Sequence, residues 1–291
     1  MVQYGICSSA AILNVERDNH FLPAHHTTAS RHSNLIKCLH QPDCFFYNST
    51  KNALVKVVSD LLTTMDKGLL SLLVQLDLSS AFDTIDHGIL LDRLEHHLGI
   101  SGTILNWFQS FLSGRSQVVR IRDSVSVPSE ISCGVPQGSI LSPMLFAIYL
   151  LQLGDIVRRY GVDFHCYAND VQLYLAFPAN TGAVAVLEQC LGAIWSWLSG
   201  NWLRLNQGKS EVLLVGRRCM YEKFADSFSP PMINGSFLRS VKVTRSLGVF
   251  LDSSLTLERH LSSVASAGFF HLRNIQKLCP FLPHDSLATL L

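Results

Sequence analysis

The sequence predicts an α+β fold, a mainly antiparallel sheet with helices on one face. Three observations carry that expectation. Leu70, Leu72, Val74, Leu76 and Leu78 alternate strictly, which reads as a strand with one apolar face. Around residues 116–133 and 164–177, β-forming runs flank a short polar turn, the signature of a hairpin. Stretches of helical period separate these strand signals.

Each element follows from its residues. In "STKNALVKVVSDLLTTMDKG", Leu54, Val57, Val58, Leu61 and Leu62 share a helical face and Gly68 closes the helix. The alternating strand comes next. Its second face carries Ser71, Leu73, Gln75 and Asp77, so that face ends in an acid. Leu90, Leu91, Leu94 and Leu98 predict one helix, and Ile104, Leu105, Phe108, Phe111 and Leu112 a second. "SQVVRIRD" and "SVSVPSEISC" predict a hairpin turning near Asp123–Ser124. The Gly/Pro-rich "CGVPQGS" leads into a long helix over about 142–160, with Pro143 in its first turn. "FHCYANDVQLYLAF" is the next hairpin, with Asn169–Asp170 as its polar tip. Val184, Leu187, Leu191, Ile194 and Leu198 predict a helix over 181–198. "WLRLNQGKSEVLLVG" reads as a turn and a strand, and 217–236, with Pro230 and Pro231, as an irregular connection. A strand pair in "VKVTRSLGVFLD" and an amphipathic helix in "LERHLSSVASAGFFHLRNIQKL" complete the order.

Composition narrows the class. With 291 residues, 48% hydrophobic and 15% charged, the chain can bury a sizeable core and is not a disordered tail. A net charge of +1 gives no general basic excess, so any nucleic-acid partner must be met by a local patch. The 8 cysteines show no C-x-x-C and no disulfide framework, which implies free thiols, no disulfide partner and a reducing compartment. No basic and apolar leader opens the chain, and "ILSPMLFAIYLLQLG" is shorter than the roughly 20 residues a membrane span needs. The expectation is an intracellular chain without a membrane partner, nucleus and cytoplasm being indistinguishable. Residues 1–48 have weak periodicity and read as a loosely ordered leader. His25, His26, His32, Cys38, His40 and Cys44 fall within it, but their spacing fits no zinc pattern.

Two acids carry the chemistry. Asp77 ends a strand, and Asp170 lies at a hairpin tip far along the chain. An antiparallel sheet can bring them together, and paired carboxylates suit Mg²⁺, a hard cation that takes oxygen ligands. Two such ions can clamp the attacking and leaving oxygens of a phosphoryl transfer. Either Asp alone reads more often as a cap or turn residue.

"LLVQLDLSSAFDTIDHGILLDRL", "GVPQGSILSPMLFAIYL", "YAND", "WLRLNQGKSEVLLVG" and "SLGVFLD", in that order, resemble a reverse transcriptase of the non-LTR, LINE-type retrotransposon branch. The resemblance covers about residues 49–270. It implies a right-hand polymerase palm with partial fingers and a partial thumb. Fingers and palm would span 49–236, and 237–291 would hold the end of the palm, a primer-grip-like hairpin and truncated thumb helices. Residues 1–48 do not match the family's basic fingers region, so the chain reads as a fragment. The implied partners are an RNA template, a DNA primer and deoxynucleoside triphosphates, with a two-Mg²⁺ site.

By the same resemblance, Asp77 is a metal-binding aspartate and the carbonyl of Leu78 an accessory ligand. Phe82 is the bulky residue beneath the incoming sugar, although a plain core Phe fits the sequence as well. Pro136, Gln137 and Gly138 shape the nucleotide pocket and touch the template; such a loop is also an ordinary strand-to-helix turn. Lys209 protonates the leaving pyrophosphate, where a solvated Lys is the plainer reading. Leu247, Gly248 and Val249 grip the primer. The family's hairpin reads Tyr-Ala-Asp-Asp. Here Asn169 stands at the first acid and Asp170 at the second. Asn keeps a carbonyl oxygen but loses the charge, so weak or absent polymerase activity is expected. Two other readings stand beside this one. The first is a non-catalytic binder of RNA or RNA–DNA hybrid using Arg115, Arg120, Arg122, Arg204, Lys209, Arg217 and Arg218. The second is a transposon remnant with marginal folding.

Overall fold

The structure, a computed structural model, describes residues 3–5, 50–167, 169–178, 182–226 and 228–281. Its elements are β1 (Gln3–Gly5), α1 (Thr50–Asp66), β2 (Leu70–Ser79), α2 (His87–Asp92), a π-helical turn (Arg93–His97), α3 (Gly102–Leu112), β3 (Ser116–Ile121), β4 (Ser124–Val125) and β5 (Ser129–Glu130). There follow α4 (Ser142–Arg158), β6 (Asp163–Tyr167), β7 (Asp170–Phe177), α5 (Ala183–Gly200), β8 (Arg204–Leu205), β9 (Glu211–Val215) and α6 (Arg218–Ala225). The last are β10 (Met232–Ile233), β11 (Ser236–Phe237), β12 (Arg239–Val241), β13 (Val243–Ser246), β14 (Val249–Asp252) and α7 (Glu258–Leu278).

β2 is central to a six-stranded sheet of order β12-β9-β2-β7-β6, with β8 also paired to β2. Its pairings with β7, β8 and β9 are antiparallel, as is β6 with β7; only β12 on β9 runs parallel. Around β3 a smaller antiparallel sheet forms from β1, β4 and β5. The palm-type α+β architecture expected from the sequence is thus present.

Alternation along β2 sends side chains into two cores. Leu70, Leu72, Val74, Leu76 and Leu78 face a large core with Leu90, Leu94, Phe108, Phe146, Leu150, Leu187 and Ile194 from α2 through α5. On the other face Leu73, with Tyr174 and Leu213, packs beneath Val57 and Leu61 of α1 and Leu251 of β14. Helices on one face therefore describes α2 to α5, whereas α1 lies opposite. The physical reason is Leu73, an apolar residue on the face that otherwise carries polar groups, with register partners Tyr174 and Leu213 that widen the apolar patch. The Tyr174 hydroxyl donates to Asp60 of α1 at 2.7 Å, which tethers the helix there, and Lys56 of the same helix donates to that carboxylate at 2.6 Å.

Local differences have local causes. In the second hairpin Tyr167 pairs directly with Asp170. Asp170 is thus the first residue of β7 rather than part of the tip. The hairpin near Asp123 turns on Arg122–Asp123, with Ile121 opposite Ser124. Residues 217–236, expected to be irregular, hold α6 and the β10–β11 hairpin. Helix α6 has no fully buried residue of its own; Met220, Tyr221 and Phe224 pack partly against the large core. The π-helical turn at Arg93 widens the helix there and carries Arg93, 3% exposed, into the core. The expected leader at residues 1–48, including its His/Cys cluster, lies outside the described residues except for β1, which pairs with β3.

Candidate active site

The acids meet through strand register. Asp77 on β2 lies directly opposite Asp170 on β7. Opposed residues of an antiparallel pair have Cβ atoms about 4.5–5.5 Å apart on one face. Both acids line a cleft of about 290 Å³ together with Gln75, Gln172, Lys209, Glu211, Arg239, Thr244, Ser246 and Leu247. The cleft exists because the apolar patch on this face ends at Leu73, so α1 and β14 cover only the lower part of the sheet.

Asp170 is exposed at its edge, yet the desolvation of its carboxyl, and secondarily the charge of Asp77, push it above the usual carboxylate range. Glu211, the remaining carboxylate of the cleft, is engaged by Arg239. Asn169 is partly buried at the turn beside Asp170. Among the described residues no three His, Cys, Asp or Glu side chains gather as a metal cluster. The cleft thus presents two acids, Asp77 and Asp170, beside the Glu211–Arg239 pair, and Asn169 is not part of its lining.

Lys209 is exposed on the same cleft, in the turn between β8 and β9. The side chain of Leu78 is 4% exposed and sits in the large core, so any contribution it makes comes from its backbone carbonyl. On the cleft's other wall, β13 and β14 turn through Leu247 (φ 46) and Gly248 (φ 90), with Ser246 opposite Val249. Two successive positive φ values match a tight hairpin turn, and Gly248 supplies one without strain. The structure therefore brings Asp77, Asp170, Lys209 and Leu247 together.

Pro136 and Gln137 lie elsewhere, on a second cleft of about 630 Å³ with Asp83, Arg115, Gln117 and Glu130. That loop is pinned to the segment after β2. Gly134 N donates to the Ile85 carbonyl at 2.7 Å, Val135 N to the Phe82 carbonyl at 2.8 Å, and Gln137 Nε2 to Asp83 at 2.8 Å. Gly134 (φ 83) is required for the approach, since a Cβ there would stand 2.8 Å from the Asp83 carbonyl oxygen. Its closeness serves backbone rather than a ligand. Gly138 (φ 83) is exposed beside it. Phe82 is partly buried against Phe146, ring centroids 4.9 Å apart, and packs on the large core. Asp83 is held by Gln137, and Asp86 caps α2 by accepting from Ile89 N, so neither joins the acid pair.

Of the basic residues a binding-only chain would use, Arg217 pairs with Asp66 and Arg218 with Glu222, away from the cleft. Sequence reasoning missed Gln75, Gln172, Thr244 and Ser246. The two glutamines were signalled only by their spacing of two from Asp77 and Asp170. No helix among the described residues is long and apolar enough to cross a membrane.

Residues 27–251 match the family described as reverse transcriptase (RNA-dependent DNA polymerase), starting inside the segment expected to lie outside it. The chain is 28% identical over 225 residues to the RNA-directed DNA polymerase from mobile element jockey of Drosophila funebris, covering 75% of this chain and 23% of that protein. It is 25% identical over 211 residues to the probable RNA-directed DNA polymerase from transposon BS of Drosophila melanogaster, covering 70% of this chain and 22% of that protein. The chain thus spans less than a quarter of the length of these curated relatives. In fold it is similar to apo telomerase from Candida tropicalis truncated from its C-terminal domain, with TM-score 0.51 and 12% identity, covering 79% of this chain and 43% of that one. A match over most of the chain, relatives from mobile elements and a palm-type sheet agree: this chain belongs to the reverse transcriptase (RNA-dependent DNA polymerase) family, in its non-LTR, LINE-type branch.

Proposed function

We propose that this chain is the palm-centred part of an RNA-directed DNA polymerase, extending a DNA primer on an RNA template from deoxynucleoside triphosphates, with activity weakened at Asn169. The observation that carries the reading is the opposition of Asp77 and Asp170 across β2 and β7, in a cleft shared with Lys209 and Leu247.

The donor set suits Mg²⁺. Two carboxylates face one open cleft, and desolvation first, with the charge of Asp77 second, holds Asp170 above the usual carboxylate range; a divalent cation relieves the second of these. Asp77 and Asp170 would hold the metal, the Leu78 carbonyl would add a backbone oxygen, and Asn169 offers an amide oxygen without charge. Bound there, Mg²⁺ supplies electrostatic stabilisation to the oxygens of phosphoryl transfer. Lys209 is placed to give a proton to the leaving pyrophosphate. Leu247, Gly248 and Val249 form the wall against which the primer end rests. Phe82 with Pro136, Gln137 and Gly138 bound the nucleotide and template side.

The test is Mg²⁺-dependent incorporation of a deoxynucleotide on an RNA template. Incorporation should be weak in the native chain, lost in Asp77→Asn and raised in Asn169→Asp. Identical rates in all three proteins would overturn the reading.

A further inference from the structure

A row of amides lies directly below the acids. Gln75 stands two residues before Asp77 on β2, Gln172 two residues after Asp170 on β7, and the glutamines oppose each other in register. Period-two alternation puts all four on one face of the sheet. Gln172 is 2% exposed and Ser246 is 1% exposed, and Gln172 Nε2 donates to Ser246 Oγ at 2.7 Å across 74 residues of chain. Ser246 is the last residue of β13 and leads straight into the Leu247–Gly248 turn. Gln75 Nε2 and Gln172 Oε1, a donor and an acceptor at opposed positions, are both buried without a hydrogen-bond partner.

This link matters because β13 and β14 form a two-stranded sheet of their own, outside the six-stranded ladder. A lone two-stranded hairpin is marginally stable, so side chains must set its place. At its base Leu251 enters the small core, and the Ser253 carbonyl accepts from Gly216 N at 2.9 Å. Apolar packing at Val249 and Leu251 holds the hairpin to the small core but is non-directional. Next to the turn the directional anchor is the Gln172–Ser246 hydrogen bond.

We propose that Gln172 is a positioning residue whose buried amide fixes the height of the Leu247–Gly248 turn above Asp77 and Asp170. The gap so fixed receives the recessed 3′ end of a nucleic-acid duplex; that occupant, though not the link itself, rests on the polymerase reading above.

Amide hydrogen exchange on the unliganded chain tests the link. Gln172→Met, of similar length and apolar, and Ser246→Ala should each speed exchange at residues 246–250 roughly five- to tenfold, the worth of one hydrogen bond. Exchange in β2 and β9 should keep its native rate. The double variant should be no faster than either single, and Ser246→Thr, which retains the acceptor oxygen, should restore slow exchange. Unchanged exchange at 246–250, acceleration throughout the sheet, or additive effects would overturn the proposal. In a binding assay, Gln172→Met should weaken an RNA–DNA duplex with a recessed 3′ end severalfold and leave single-stranded RNA of equal length unaffected. Equal weakening of both nucleic acids would overturn the positioning role. A native chain with no preference for the recessed end, but with the exchange effect intact, would sink the polymerase reading and keep the link.

Discussion

Asn169→Asp adds one charge at one position and should show what that charge does. Residue 169 lies in the turn next to Asp170, which faces Asp77 across the sheet. A contact between two unit charges at ~2 Å is worth about 8 kcal/mol at an effective dielectric of ~20, which serves as the scale for one added carboxylate. Water at the half-exposed end of the hairpin screens that contact, and half of it, about 4 kcal/mol, is a reasonable share for the transition state. That share corresponds to about a thousandfold in rate. Without metal the sign reverses. A carboxylate some 5 Å from another repels it by about 3 kcal/mol at the same dielectric, falling to about 1 kcal/mol with screening. Asn169→Asp should therefore melt below the native chain in chelator and recover with Mg²⁺ by more than the native chain does. Single-nucleotide extension of a primer on an RNA template, beside thermal melts across a Mg²⁺ series, measures both effects. If the variant binds primer–template as the native chain does, yet extends no faster and melts with no greater Mg²⁺ sensitivity, the two-acid metal site is wrong.

Further outcomes follow from the same geometry. Asp170 is raised in the folded state, so the unfolded chain gives up this proton first, and stability falls as pH rises from about 4 through the raised folded value. In metal-free denaturant melts Asp170→Asn should accordingly gain on the native chain at pH 7 and not at pH 3. Gly134→Ala should lose at least about 2 kcal/mol in the same assay, because it combines left-handed backbone with a Cβ 2.8 Å from the Asp83 carbonyl oxygen. Arg93, lowered by burial, has its guanidinium 4.5 Å from the centroid of Tyr149 and 5.2 Å from that of Trp197, and it bonds Asn201. Arg93→Ala should cost about 3 kcal/mol of unfolding free energy through the lost cation–π contacts and the orphaned amide. Leu73→Ala should cost about 2–4 kcal/mol and loosen α1, since Leu73 is the centre of the small core.

Much of the molecule was legible because its signals are local. The β2 alternation, Pro143 in the first turn of α4 and the polar break before β7 each declare their element within a few residues. Helix α6 escaped because it is only two turns long and its stripe of Met220, Tyr221 and Phe224 is only partly buried on the core. Arg93 escaped for the opposite reason. A charged residue in a helical run reads as solvated, and only the π-helical turn and the rings of Tyr149 and Trp197 make room for it in the core.

The chain's own order of residues determined the strand that ends in Asp77, the hairpin that presents Asp170, the amide at Asn169 and the family these motifs belong to. Tertiary structure decided which residues stand opposite one another. Period-two alternation assigns a side chain to a face but names no neighbour on the next strand, and register is set by pairing between segments far apart in the chain. The meeting of Asp77 with Asp170, the placement of α1 over Leu73 and the bond from Gln172 to Ser246 are all of that non-local kind.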